Sequence, residues 1–284
     1  MLGAKSARAS IVVTSTAMCA ALYAIGSYLT AYIPSPWGAG QFRPAVVIPA
    51  FFAIVFGSTP AGVGAALGTL IADSVKHGYI YPGSFLAAVP GNFIGFYLFG
   101  YIVRTFNWRR FIIASNLTLT LANFIVAALY VGVFKILYVG DPKYVSFSSP
   151  ALLTFILGLT VWWFVTMLPF VLLVTPILVK ATSQAVPSLV PDDVRQHSLS
   201  NELPQTLFSY SLLAPGIIML GMWLITGYTP FNTQLTTFFG ETTSNLVQWM
   251  FLLSGAFLSA TGAFLRIRRS VNRDQTSRIE GNTP

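Results

Sequence analysis

Charge is what this sequence has least of. Only 8% of its 284 residues are Asp, Glu, Lys or Arg, where a soluble domain carries about 25%. It has two histidines and one cysteine, and neither His-x-x-x-His nor Cys-x-x-Cys spacing occurs. No metal centre is expected, and Cys19 on its own rules out an internal disulfide. The nearest approach to a phosphate-binding loop runs from Gly57 to Gly62. Val63 and Gly64 follow, instead of the required lysine and hydroxyl. With no ATPase signature, any active transport would draw its energy from a partner or an ion gradient. No cofactor is expected. Nucleic-acid binding would need a basic, aromatic-studded soluble face, and no such stretch is present.

Hydrophobicity is abundant: 55% of residues are apolar and the mean hydropathy is +0.70. Roughly 20 apolar residues cross a bilayer as a helix, and backbone polar groups in lipid must pair internally. The runs are continuous, without the two-residue alternation of barrel strands. The sequence therefore predicts an all-α polytopic membrane protein. Spans are expected at 10–33, 44–57, 60–76, 83–103, 111–138, 151–179, 207–228 and 243–265. The second and third form a tight hairpin about Gly57. The N-terminal segment reads as a retained first helix, since no small-residue cleavage site precedes a soluble domain.

Eight spans place both termini on one side, and positive-inside asymmetry makes that side cytoplasmic. Twelve of the sixteen lysines and arginines then lie inside, among them Lys5, Arg8, Arg104, Arg109, Arg110 and Lys180. Arg43, Lys76, Lys135 and Lys143 lie at the outer level. The net charge of +8 is mostly topology. Four parts are expected: a six-span domain over 1–180, a polar three-proline linker over 181–205, a two-span hairpin over 206–267, and a disordered basic tail over 268–284.

Small residues mark two helices. Ala17 with Ala21, and Ala20 with Ala24, repeat at four-residue spacing in the first span and share helix faces. Ala61, Gly64, Ala65 and Gly68 do the same in the third. Lipid provides no hydrophobic drive for helix association, so small faces act through close packing. The strips either pack within the chain or, for the first helix, face a partner membrane protein.

Of the eight acids only Asp73 falls inside a span. Intramembrane charges are costly, and they pair or serve a function. Two readings follow: Lys76 and Lys135 snorkel while Asp73 pairs with one of them, or a polar pocket opens outward. Candidate pocket residues are Trp37, Gln41, Arg43, Asp73, His77, Tyr81, Asn92, Asn123, Tyr130 and Lys135, a few polar groups among aromatics. Trp162 and Trp163 lie too deep for an interfacial belt.

The stretch Gln41 to Asp73, "QFRPAVVIPAFFAIVFGSTPAGVGAALGTLIAD", resembles helices two and three of the substrate-binding S components of energy-coupling factor (ECF) vitamin transporters. "YPGSFLAAVPGNFIGFYLFGYIV" resembles their fourth helix. The resemblance covers residues 10–180. It implies a six-helix S-component-like bundle, a lid near Trp37 and Gln41, and capture of a vitamin-like molecule at the plasma membrane. It also implies docking of Ala17, Ala20, Ala21 and Ala24 on a transmembrane T component, which works with two ATPase subunits. S components generally end after six helices, so the last two spans depart from the pattern.

Two other classes compete. A self-contained ion-coupled secondary transporter would need broken helices and an acid at mid-membrane, whereas Asp73 lies nearer the outer surface. An intramembrane enzyme would need a nucleophile and base at shared depth, and His77 sits in an outer loop. The expectation is a binding subunit, not an enzyme.

Overall fold

The computed structural model describes residues 2–33, 35, 38–197, 205–228, 232–233, 236–237 and 240–280. No β-strand occurs among them. The chain forms two compact units, Met1–Leu199 and Ser200–Pro284. Six helices are long and apolar enough to cross a membrane, so this is an all-α, multi-pass membrane protein.

In the first unit, α1 (Leu2–Leu29) is followed after a loop by a 3₁₀ turn, Pro44–Val46, and α2 (Val47–Phe56). Next come α3 (Ser58–His77) and α4 (Val89–Ile102), the latter entered through a π-helical stretch, Ser84–Ala88. The fifth helix, α5 (Trp108–Ala128), passes directly into a second π-helical stretch, Leu129–Tyr138. Short α6 (Pro142–Val145), long α7 (Ser149–Ala185) and short α8 (Asp192–Gln196) complete the unit.

The expected second span is shorter than a full crossing helix. At 1.5 Å per residue α2 and its 3₁₀ turn extend only about 20 Å, short of the roughly 30 Å hydrocarbon layer. Ala50, Phe52, Ala53 and Ile54 are instead buried inside the bundle. The hairpin to α3 is made by one residue, Gly57 at φ +93°, a conformation only glycine adopts freely.

Glycine makes α3 a backbone-to-backbone packing element. A Cβ on Gly64 would stand 2.5 Å from Cys19 Cβ, and one on Gly68 would stand 2.7 Å from the Ala20 carbonyl oxygen. On another side, a Cβ on Gly62 would meet Tyr97 Cβ at 3.0 Å. So α3 runs parallel to α1 and antiparallel to α4 at distances no larger side chain allows. Its glycine, alanine and threonine content keeps it outside the set of strongly apolar spans.

At the end carrying the 103–107 loop, the Phe106 N–H donates to Asp193 Oδ2 at 3.0 Å, which fastens α8 beneath the bundle. Val190 and Val194 are buried there.

The second unit holds α9 (Gln205–Tyr228) and α10 (Glu241–Glu280), packed through Gly216, Gly255 and Gly262. The helix of α10 runs to Glu280, through a stretch whose composition suggests disorder. No proline or glycine interrupts 263–280, so nothing in the local sequence stops the helix that the apolar segment starts.

Candidate functional site

A cavity of about 180 Å³ lies at the end of the first unit away from the 103–107 loop. It is walled by the loop before α2, the last turns of α3, both π-helical stretches, α4, α5 and the middle of α7.

Its charged floor comes from α3. Thr69, Asp73 and Lys76 follow at four- and three-residue spacing and share one face. Asp73 Oδ1 accepts from Arg43 Nη2 at 2.8 Å and from Gln41 Nε2 at 2.9 Å. Arg43 also donates to Thr69 Oγ1. The side chains of this ion pair are 10% and 11% exposed. Lys76 Nζ donates to Gln41 Oε1 at 2.9 Å and to the Ala31 carbonyl. Asp73 thus pairs with the arginine at the mouth of α2, and neither lysine at its level is its partner.

The roof is the 38–43 loop. Trp163 Nε1 donates to the Gln41 carbonyl at 3.2 Å, and Phe42 meets Phe170 edge-on at 5.6 Å. Gly40 has φ +80°, and a Cβ there would lie 2.2 Å from Trp163 Cζ2. Only glycine lets the loop lie flat on the indole.

The side wall is aromatic. His77 and Tyr81 stack with centroids 3.8 Å apart and planes 1° from parallel. Tyr81 then meets Phe134 edge-on. The Nδ1 of His77 is 2.7 Å from the Asp73 carbonyl. A carbonyl only accepts, so Nδ1 carries the proton, and in the neutral ring Nε2 remains an acceptor. Burial pushes the Tyr81 hydroxyl above its ordinary pKa, which keeps it a neutral donor.

Deeper in, Asn92 is buried with no hydrogen bond to its amide among the described residues. Asn123, also buried, makes one weak contact, Nδ2 to Met167 Sδ at 3.7 Å. Buried carboxamides are ordinarily satisfied, so these two bring spare hydrogen-bonding capacity to the cavity wall.

Of the residues expected from sequence, Gln41, Arg43, Asp73, His77, Tyr81, Asn92, Asn123 and Tyr130 all line this cavity. Trp37 lies outside the described residues. Lys135 does not line it. Its ammonium pairs with Asp141 at 3.4 Å and sits 5.6 Å from the Tyr144 ring centroid. Burial lifts the hydroxyl of that tyrosine to about 12. Asp141, six residues on, draws Lys135 away from the cavity. Lys76, Trp163, Met167, Gly83 and Ser84 were not among the expected lining residues. The abnormal depth of Trp163 is a usable sequence signal, and Met167 carries none.

The four expected docking alanines divide. Ala20 and Ala24 are 5% and 6% exposed, covered within the bundle where α1 meets α3, and have no surface to offer a partner. Ala17 and Ala21 are exposed, beside the exposed Met18, Leu22 and Ile25. The Ala17–Ala21 pair lies about 60° around the helix from the Ala20–Ala24 pair, so one enters the α1–α3 contact and the other stays outside it.

Among the described residues no group of three or more His, Cys, Asp or Glu could hold a metal ion. Set against family models, curated proteins and solved structures, the chain matches none.

Proposed function

We propose that this chain is the membrane-embedded, substrate-binding subunit of an importer of the energy-coupling factor type, not itself an enzyme. It captures a vitamin-like small molecule on the outer side of the plasma membrane. The observation that carries this reading is the roofed cavity: a polar, aromatic pocket at the end away from the basic loop, with one carboxamide, Asn92, unbonded among the described residues and a second, Asn123, held only by a weak contact to Met167. Sites of this kind combine an apolar or aromatic lining with a few placed polar groups. The resemblance of residues 10–180 to S components, and the lack of an ATP-binding loop, support the same reading. The exposed Ala17–Ala21 face of α1 is the proposed contact with a transmembrane T component, and two ATPase subunits drive the cycle.

The test is mild-detergent purification of the tagged chain from its native membrane, with mass spectrometry of co-purifying chains. Recovery of a T-type membrane subunit and two P-loop ATPases is the expected outcome. Their absence after cross-linking through cysteines introduced as Ala17→Cys and Ala21→Cys overturns the assignment and brings the ion-coupled carrier forward.

A further inference from the structure

From sequence alone, Asp73 could favour a cationic ligand and Arg43 or Lys135 an anionic one. The geometry removes all three, and Arg43 leaves with Asp73 because each neutralises the other. Lys135 is turned away onto Asp141, and Asp73 is neutralised by Arg43 and further engaged by Gln41. What remains is Lys76. Its ammonium meets only neutral groups, the Ala31 carbonyl, the Gln41 amide and, at 5.8 Å, the Tyr32 ring, and forms no ion pair among the described residues. An ammonium carries three protons and only two meet hydrogen-bond acceptors among the described residues, so it keeps capacity for an anionic partner. The charged lining of Arg43, Asp73 and Lys76 carries one uncompensated positive charge. Low-dielectric walls focus such a charge on whatever enters.

The rest of the cavity fixes the ligand's other features. Asn92 and Asn123 each present a donor and an acceptor, which match a ligand edge carrying an acceptor beside a donor. The flat His77–Tyr81 pair and Trp163 favour a planar ring. A dry cavity of about 150 Å³ takes a benzene ring, so 180 Å³ holds one or two small rings.

Resting on the capture reading above, we infer that the cavity takes a planar heterocyclic monoanion. Its carboxylate meets Lys76, and its amide-like edge meets Asn92 and Asn123. Cationic and neutral isosteres are discriminated against by the unpaired ammonium.

The full chain, purified in mild detergent, is tested by thermal unfolding with matched triads. In each, one ring scaffold carries a carboxylate, a carboxamide or an aminomethyl group. Nicotinate, nicotinamide and 3-(aminomethyl)pyridine form one triad, with equivalent sets built on pyrimidinedione and pteridine rings. The expected result is stabilisation by a carboxylate member with an apparent Kd at least tenfold below that of its carboxamide. Lys76→Gln is expected to erase that preference and Lys76→Arg to keep it. A neutral or cationic member binding as well as its carboxylate overturns the inference and leaves the capture reading standing. If no triad member stabilises a cooperatively unfolding protein at millimolar concentration, both fail. Should Lys76→Gln not fold, the charge preference of the unaltered chain and of Lys76→Arg decides.

Discussion

The indole of Trp163 hydrogen-bonds the backbone carbonyl of Gln41, a residue 122 positions earlier whose side chain bridges Asp73 and Lys76. One loop residue thus joins the middle of α7 to the charged end of α3, with the cavity between them. Trp163→Phe deletes the indole N–H and its hydrogen bond, a loss of about 1 kcal/mol, and leaves a void where the five-membered ring stood, which adds to that loss. Gly40→Ala is harsher, because the new methyl overlaps Trp163 and the backbone φ is +80°. Both are expected to raise protease cleavage within residues 35–43, Gly40→Ala more strongly. Unchanged cleavage in both would show that the loop is held by other contacts.

Arg43 and Asp73 test the buried pair. Removing one partner strands a charge, at a typical cost of about 3–5 kcal/mol. Arg43→Met alone should therefore lower the thermal unfolding temperature sharply in detergent. The double change with Asp73→Leu should recover most of the loss, since apolar replacements of buried pairs are often neutral. If the double variant is as unstable as the sum of the singles, the pair is not the unit described.

For the α1–α3 contact, compare two glycines. Gly68→Val forces carbons against the Ala20 carbonyl and Tyr23 and should cost about 1–3 kcal/mol. Gly132→Ala meets open space and is expected to be neutral or mildly stabilising, by up to about 1 kcal/mol. Thermal unfolding of both variants side by side is the check, and similar losses would refute the packing account.

The divided alanine strip gives a separation of functions. Ala20→Leu overpacks a covered site and should destabilise the chain by about 1–3 kcal/mol. Ala21→Leu changes an exposed position and should leave stability within about 0.5 kcal/mol, while lowering recovery of a T-type subunit in pull-downs. Equal recovery with Ala21→Leu would remove this face from the proposed interface.

Much of the architecture was legible because run length and charge scarcity act at the level of single helices. The cavity was partly legible for the same reason: a topology that sorts charges by depth brings Arg43, Asp73, Lys76 and His77 to one level. What escaped depends on rotation and reach. Ala20 and Ala21 are adjacent in sequence, yet only one faces α3. Lys135 has the right depth, but Asp141 draws it aside. Length was misjudged at α2, where apolar composition alone suggested a full-length span and 13 residues of 3₁₀ and α helix return the chain inside the bundle instead.

The π-helical stretch Leu129–Tyr138 sets Tyr130 in the cavity wall. Each residue added to or removed from a helix swings everything beyond it by about 100°, and π-turns are local insertions of this kind, frequent at functional sites. Descendants of this sequence can thus re-aim an entire wall of the pocket by gaining or losing one codon there, leaving the glycine-packed α1–α3 pair untouched. The shape of the cavity is, in that respect, a matter of insertion and deletion as much as of substitution.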